Sequence, residues 1–465
     1  MQSLKPSAVT RRAAFAAAAP FLHLQAQQKQ TRPNILWILG DDLGPQLGCY
    51  GHPLVHTPNA DRIAAEGVRF THCFTTAPVC SPSRSAWNTG VYQTTIGAHN
   101  HRSHRKDGYT LPDGVRLVSH RLHDAGYFTA NVLAVTPTLR TNAKTDFNFK
   151  AEKPFDGTHW NQRAQGQPFY AQINFTAPHK GPQWPLARKH RNLIDPAKVE
   201  LPPYYPDHPV IRDEIANYLD AVNNWDRQVG VVLDELKKDG LLDNTVIFVF
   251  GDNGRCLLRG KQWLYDPGTH VPLLVRWPGH ITPGTVRTDP VLSLDITAAT
   301  LDAAGIERPK LFHGQSLFKK VKPRTEIFTA RDRCDMTVDR IRAVRDARYK
   351  LIHNFYPDRS YSQYNEYIKN SYPALTVIQN LAKEGKLNEI QARWVAPTRP
   401  EFELYDHQTY PHEVNNLAAQ PAHKKVFDRL KKRLDQWIVE TNDQGRVPEP
   451  PSVIAQEEPR AITAK

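Results

Sequence analysis

The sequence predicts an α/β fold with a smaller α+β domain at its C-terminal end, and three observations lead there. Short continuous apolar runs, such as Asn34–Leu39 and Thr245–Phe250, read as strands buried on both faces. Segments of helical periodicity separate such runs. The longest, from about Ile211 to Lys238, repeats Ile215, Leu219, Val222, Val229, Leu233 and Leu236 at helical spacing. Acidic turns follow two of the strands at once, Asp41-Asp42 after the first and Asp252-Asn253 after the other. Open α/β sheets place their ligands at such carboxyl ends.

A chain of 465 residues, 40% of them hydrophobic, can bury a large core, and one large domain plus a smaller one is the natural division. The domains expected are an export signal over residues 1–26, a catalytic α/β domain over 32–324, a smaller α+β domain over 325–445 and a loose tail over 446–465. Lys+Arg exceed Asp+Glu by 60 to 47, a net +13 that favours an anionic partner: nucleic acid, acidic membrane or sulfated glycan. No long basic block and no recognition-helix pattern is present, which argues against nucleic acid.

Thr10-Arg11-Arg12 precedes an alanine-rich apolar run to Leu24, and Ala26 offers a cleavage site; this reads as a signal for export to the periplasm or beyond. The run is too short for a stable membrane span. Removing it takes away Lys5, Arg11 and Arg12, which lowers the charge from +13 to +10. The cysteines Cys49, Cys73, Cys80, Cys256 and Cys334 match no zinc spacing and, apart from Cys80, read as buried free thiols, with disulfides the alternative.

In chain order, Thr57, Pro58 and Gly67 read as cap, first turn and end of a helix. Cys80 follows, just before a helix start at Pro82, with Arg84 one turn on; such a position favours an anion. The polar loop Tyr92–His101 places His99 and His101 near it. Leu117–Gly126 reads as a helix, and Tyr127–Val135 and Pro168–Phe175 as strands. His179 stands at the carboxyl end of the latter, between prolines, a reasonable site for a titratable group. Residues Lys180–Pro209 read as a long lid. Pro272–Arg276 reads as a strand and Ser293–Gly305 as a helix. Glu326–Ala330 and Tyr349–Asn354 form a smaller sheet, and Val426–Ile438 a terminal amphipathic helix. The acids at Asp41, Asp42 and Asp252 either cap turns or, as costly carboxylates against a core, hold a hard divalent cation.

Cys80, Pro82, Ser83, Arg84, Thr89 and Gly90 match position for position the motif Cys-x-Pro-Ser-Arg followed by Thr-Gly. The stretch resembles the type I sulfatases, of the arylsulfatase and N-sulfoglucosamine sulfohydrolase kind. The resemblance continues in Asp41-Asp42-Leu43-Gly44, in Pro178-His179, in Asp252-Asn253-Gly254 with Lys261, Tyr265 and Val271-Pro272-Leu273, and in Leu404-Tyr405-Asp406 and Pro411–Leu417. It implies a mixed sheet between helices, like that of alkaline phosphatases. It also implies that a maturation enzyme oxidises Cys80 to formylglycine, whose hydrate is the nucleophile. The metal site it implies is Asp41, Asp42, Cys80, Asp252 and Asn253 around Ca²⁺ rather than Mg²⁺. Cys80, Arg84, Lys144, His179 and Lys261 are then the catalytic set acting on a sulfated glycan. His99, His101, Arg333 and Asp335 are the expected substrate contacts, the last two from a doubly charged loop in the smaller domain. One departure stands out. With Lys144 aligned to the family lysine, Asp146 occupies the place where many sulfatases carry a histidine near the leaving group. A phosphate monoester or phosphonate hydrolase of the same fold, and an inactive glycan-binding homologue, remain open at this point.

Overall fold

Strand β1 (Asn34–Gly40) is buried along its whole length, and its side chains divide by parity. Ile35, Trp37 and Leu39 enter one apolar cluster; Leu36 and Ile38 enter the other. A strand covered on both faces needs this continuous apolar run. The computed structural model that shows it describes residues 32–104, 107–189 and 193–455. The expected export signal therefore lies outside the described residues, as does the end of the expected tail.

The remaining strands of the main sheet are β2 (Val68–Phe74), β3 (Phe128–Asn131), β4 (Phe169–Phe175), β5 (Thr245–Gly251), β6 (His270–Arg276), β7 (Thr285–Arg287) and β8 (Val291–Leu292). They lie in the order β3-β4-β1-β5-β6-β2-β7, with β8 also on β2. Strands β3, β4, β1 and β5 are parallel, whereas β6 runs antiparallel to both β5 and β2, so the sheet is mixed. On one face the long helix Pro209–Lys238 buries Ile215, Leu219, Val222 and Val229. On the other, Trp37 meets Trp87, Tyr170 and Phe250 edge-on at 5.1–5.6 Å, and its indole N–H donates to Thr300 Oγ1 at 2.9 Å. Edge-on rings gain electrostatically beyond their buried area.

A second sheet, fully antiparallel in the order β12-β11-β10-β9, uses β9 (Ile327–Arg331), β10 (Ile341–Arg345), β11 (Tyr349–Asn354) and β12 (Phe402–Asp406). The amphipathic helix Lys424–Glu440 packs on it through Leu430, Leu434 and Trp437. Both sheets belong to one compact unit that starts at Pro33. Among the described residues no helix is long and apolar enough to cross a membrane.

Several local expectations are corrected. Thr57 does not cap the helix Pro58–Ala65; its hydroxyl bonds Asp61 and the Gly48 N–H instead. Gly67 does not end that helix either. It permits close approach of β6, since a Cβ there would sit 2.1 Å from the Val275 carbonyl oxygen. The expected lid contains a short helix, Gln183–Ala187, and is tied down by Arg188 and the Ile194 N–H to Asp220. The expected loose tail is anchored at Glu449, whose carboxylate pairs with Arg333 at 2.5 Å.

Two predictions follow from packing and burial. A Cβ at Gly251 would lie 2.2 Å from the Leu43 carbonyl oxygen, backbone that cannot move aside cheaply. Gly251→Ala is expected to cost about 1–3 kcal/mol in urea unfolding, and to lower activity by prising apart the turns after β1 and β5. His313 accepts the Tyr92 N–H on Nδ1 at 3.1 Å, and burial, then Arg324, push its pKa down from 6.5 to about 4. The unfolded chain binds that proton near pH 6.5 and the folded chain only near 4. This contribution to stability is therefore whole above pH 6.5 and falls away as the pH drops toward 4. Unfolding midpoints should decline over that window, and His313→Gln should flatten the decline.

Candidate active site

Strands β1 and β5 pair parallel with Gly40 opposite Gly251, so the acidic turns that follow them must abut. The Asp42 N–H donates to Asp252 Oδ1 at 2.9 Å, and Asn253 Nδ2 donates to Asp42 Oδ1 at 2.8 Å. Strand β4 brings a third end: the Asp41 N–H donates to the Phe175 carbonyl at 2.9 Å. Against these ends starts the helix Cys80–Thr89, every residue of it buried, with Cys80 its first helical residue and not, as the sequence suggests, the residue before it. Its N-terminus is pinned by Ser83 and Thr75, whose hydroxyls lie 2.5 and 3.1 Å from the Asp252 carbonyl oxygen. Cys80 Sγ then lies 3.5 Å from Asp41 Oδ1 and 3.9 Å from Asp42 Oδ1.

Cations ring the carboxylates. Arg84 Nε donates to Asp252 Oδ2 at 2.9 Å, and its Nη2 donates to Asn174 Oδ1 at 2.5 Å and lies 3.5 Å from Asp41. Lys144 Nζ sits 2.9 Å from Asp41, Lys261 Nζ 2.8 Å from Asp42, and His179 Nε2 3.7 Å from Asp42. Burial alone would raise the carboxyl of Asp41, but Lys144 and then Arg84 hold it well below the usual carboxylate range. Asp252 goes the other way, pushed up to about 7 by burial and by the charge of Asp41. Burial, then Lys261, lowers His179 to about 4, so its ring is neutral at pH 7. Burial raises the Cys80 thiol, which makes a bare thiolate nucleophile unfavourable here.

Two buried atoms in this cluster bond nothing among the described residues: Arg84 Nη1, a donor, and Asn253 Oδ1, an acceptor. Buried polar atoms ordinarily find partners. Asp41, Asp42 and Cys80 each offer a ligand atom within 4.8 Å of the others. Carboxylates plus a spare amide oxygen form the donor set that a hard divalent cation takes.

Comparisons with known proteins decide the family. The family described as Sulfatase matches residues 33–306, more than half of the chain. The chain belongs to the sulfatase family. The C-terminal family of N-sulphoglucosamine sulphohydrolase matches residues 258–394. An ulvan-active sulfatase of Formosa agariphila is 33% identical over 90% of this chain and 76% of its own. Human N-sulphoglucosamine sulphohydrolase is 27% identical over 89% and 91%. In structure, a phosphonate monoester hydrolase of Agrobacterium radiobacter shares the fold at TM-score 0.65 and 17% identity, covering 88% of this chain and 96% of that one. The protein is thus a sulfuric ester hydrolase by family, on an alkaline-phosphatase-like fold.

In this sulfatase the residues singled out as catalytic and metal-binding come together: Asp41, Asp42, Cys80, Arg84, Lys144, His179, Asp252, Asn253 and Lys261 form one cluster. The expected substrate contacts divide differently. Arg333 is 2% exposed and spent on Glu449 and the Asp335 carbonyl. His101 is buried, with Nδ1 3.0 Å from Ser81 Oγ and Nε2 3.8 Å from Asp335. His99 is buried as well. Burial leaves these three little surface to offer a substrate, and two of them join each other instead: the His101 N–H donates to the Arg333 carbonyl at 2.8 Å. Asp335 keeps a partly exposed side chain.

Sequence reasoning missed Asn174, Ser81 and Arg102. Asn174 had a signal, a polar residue inside an apolar strand; the other two are recruited only by folding. A further cluster, Asp266, His407 and Glu413, joins the second sheet to the first, and its acids are matched by Lys350, 2.6 Å from each, and by Arg345.

If the oxygen cluster binds a cation, millimolar Ca²⁺ or Mg²⁺ should raise the melting temperature of the wild type by a few degrees, through preferential binding to the folded state. In Asp42→Ala that rise should vanish. An equal rise in both proteins would place the ion elsewhere.

Proposed function

We propose that this sulfatase is exported and removes sulfate esters, with sulfamates a further class, from a sulfated polysaccharide or oligosaccharide. The reading rests above all on Arg84 Nη1, a buried cationic donor next to Cys80 that bonds nothing among the described residues. A permanently charged guanidinium edge suits a sulfate oxygen. Cys80 opens a ten-residue helix, whose N-terminus favours an anion in front of it.

Formylglycine at Cys80, made by a maturation enzyme, supplies an aldehyde hydrate as oxygen nucleophile. A cation held by Asp41, Asp42, Asp252 and Asn253, with calcium preferred for all-oxygen ligation, supplies positive charge to the sulfate. The other work falls to side chains. Arg84, Lys144 and Lys261 offset the charge of the sulfate and stabilise its growth as the ester bond breaks. Lys144 and Lys261 stay protonated because Asp41 and Asp42 outweigh the effect of burial. The neutral ring of His179 can accept a proton or donate a hydrogen bond on Nε2 beside Asp42. Asp146, which burial alone would neutralise, is kept ionised by Lys144 and Arg102 and so is no proton donor at neutral pH.

A sugar substrate is supported by relatives named for ulvan and for N-sulphoglucosamine and by the net charge, +13 for the whole sequence and +10 without residues 1–26. The paired arginines and alanine-rich run support export.

Protein produced together with a formylglycine-generating enzyme should show conversion at Cys80 by intact mass and should desulfate members of a panel of ulvan, fucoidan, carrageenan and heparan fragments. It should cleave an aryl sulfate faster than the matching aryl phosphate. Cys80→Ala should keep its fold and lose about a thousandfold or more in turnover. Full activity of Cys80→Ala would overturn the mechanism; aryl sulfate turnover with no glycan cleaved would overturn the substrate class alone.

A further inference from the structure

Arg102 has no part in the chemistry above, yet it is built into the same site. Its backbone has φ +59°, and its partner Asp146 has φ +47°, both in the left-handed region that costs a non-glycine residue about 1 kcal/mol or more. Such backbone persists where surrounding contacts fix it. Here the Arg102 N–H donates to Ser81 Oγ at 2.9 Å, one residue from Cys80, and the preceding His101 N–H donates to the Arg333 carbonyl at 2.8 Å. Both sheets therefore set the position of this one residue.

The guanidinium is used along one edge only. Nε lies 3.3 Å from Asp146 Oδ1 and Nη2 3.4 Å from Oδ2, an aligned fork. Nη1 makes no hydrogen bond among the described residues, and the side chain is 19% exposed. Asp146 is in turn 3.6 Å from Lys144 Nζ, which is 2.9 Å from Asp41. Arg102 thus ends a row of alternating charges that begins at the carboxylates next to Cys80. Arg84, Lys144 and Lys261 lie nearer to the carboxylates beside Cys80, at 2.8–2.9 Å, whereas Arg102 stands at the outer end of the row with its spare edge open to another group.

We propose that Arg102 is a specificity-determining residue that binds a second oxyanion, a carboxylate or a further sulfate, on the sugar whose scissile sulfate lies at Cys80. This rests on the sulfatase reading of that site. A planar, permanently charged fork with a free edge matches two oxygens of such a group, whereas a lysine would present only a point charge. Asp146 orients the fork and, by staying ionised, keeps it oriented over the working pH range.

The test compares ligands that differ in one charge. By titration calorimetry, a desulfated uronic-acid disaccharide is expected to bind the wild type about tenfold more tightly than its methyl ester, the scale of one charged hydrogen-bonded contact. In Arg102→Ala that preference should disappear, and in Arg102→Lys it should fall between. In turnover, Arg102→Ala should reduce kcat/KM about tenfold more for sugars carrying a carboxylate or a second sulfate than for 4-nitrophenyl sulfate. The carboxylate and disulfate arms identify which oxyanion is read. Equal losses for all substrates in Arg102→Ala, or wild-type binding that is equal for acid and ester and also equal for a disulfated sugar and its monosulfated counterpart, would overturn the proposal. If Arg102→Ala does not fold, the wild-type comparison and Arg102→Lys still decide it. A wild type inert toward 4-nitrophenyl sulfate would count against the sulfatase reading, and the calorimetric comparison would still judge Arg102.

Discussion

Three carboxylates, Asp41, Asp42 and Asp252, are forced together where β1 and β5 end side by side, and the rest of the site follows from compensating them. Charges taken out of water are destabilising unless paired and hydrogen-bonded. Arg84, Lys144 and Lys261 reach in from a helix and two loops, and backbone N–H groups of Asp42 and Asn253 share Asp252 Oδ1. The opposite responses of Asp41, held down, and Asp252, pushed up, show the strain of that crowding. A cluster so rich in fixed charge is preorganised for an anionic substrate, since its dipoles need not reorient as charge develops.

The second sheet acts on this cluster from a distance. Arg342, fully buried, bonds Asp332 and Asp443 and the Arg331 carbonyl, which fixes the end of β9. From there Arg333 and Asp335 hold the His101–Arg102 loop, and the Ala330 N–H donates to the Thr76 carbonyl just before the nucleophile helix. Several bonds at once fix this end of the strand, although Asp332 Oδ2 bonds nothing among the described residues. The smaller sheet is therefore less a separate binding module than a brace that locates loops around Cys80.

Fold alone does not choose the reaction. A phosphonate monoester hydrolase has the same architecture over 88% of this chain. What marks this chain is local: the helix that begins at Cys80, Arg84 Nη1, which bonds nothing among the described residues, and the ionised pair of Asp146 with Arg102.

The sequence by itself determined the α/β architecture, and its resemblance to the sulfatases implied the mixed sheet. Apolar runs mark buried strands whatever their partners, and residues adjacent in sequence, such as Asp41-Asp42 or Cys80 to Arg84, stay adjacent in space. The resemblance carried by Cys80–Gly90 supplied Lys144 and Lys261, which no local pattern would have joined to those acids. Tertiary structure alone decided which charges are exposed. Arg333 and His101 read as free to touch substrate, but Glu449 lies 116 residues from Arg333, and Asp335 lies far along the chain from His101. Their burial depends on long-range pairing that has no sequence period. Arg102 was invisible for the same reason, since nothing near it in the chain announces Ser81 or Asp146; only folding brings the three together.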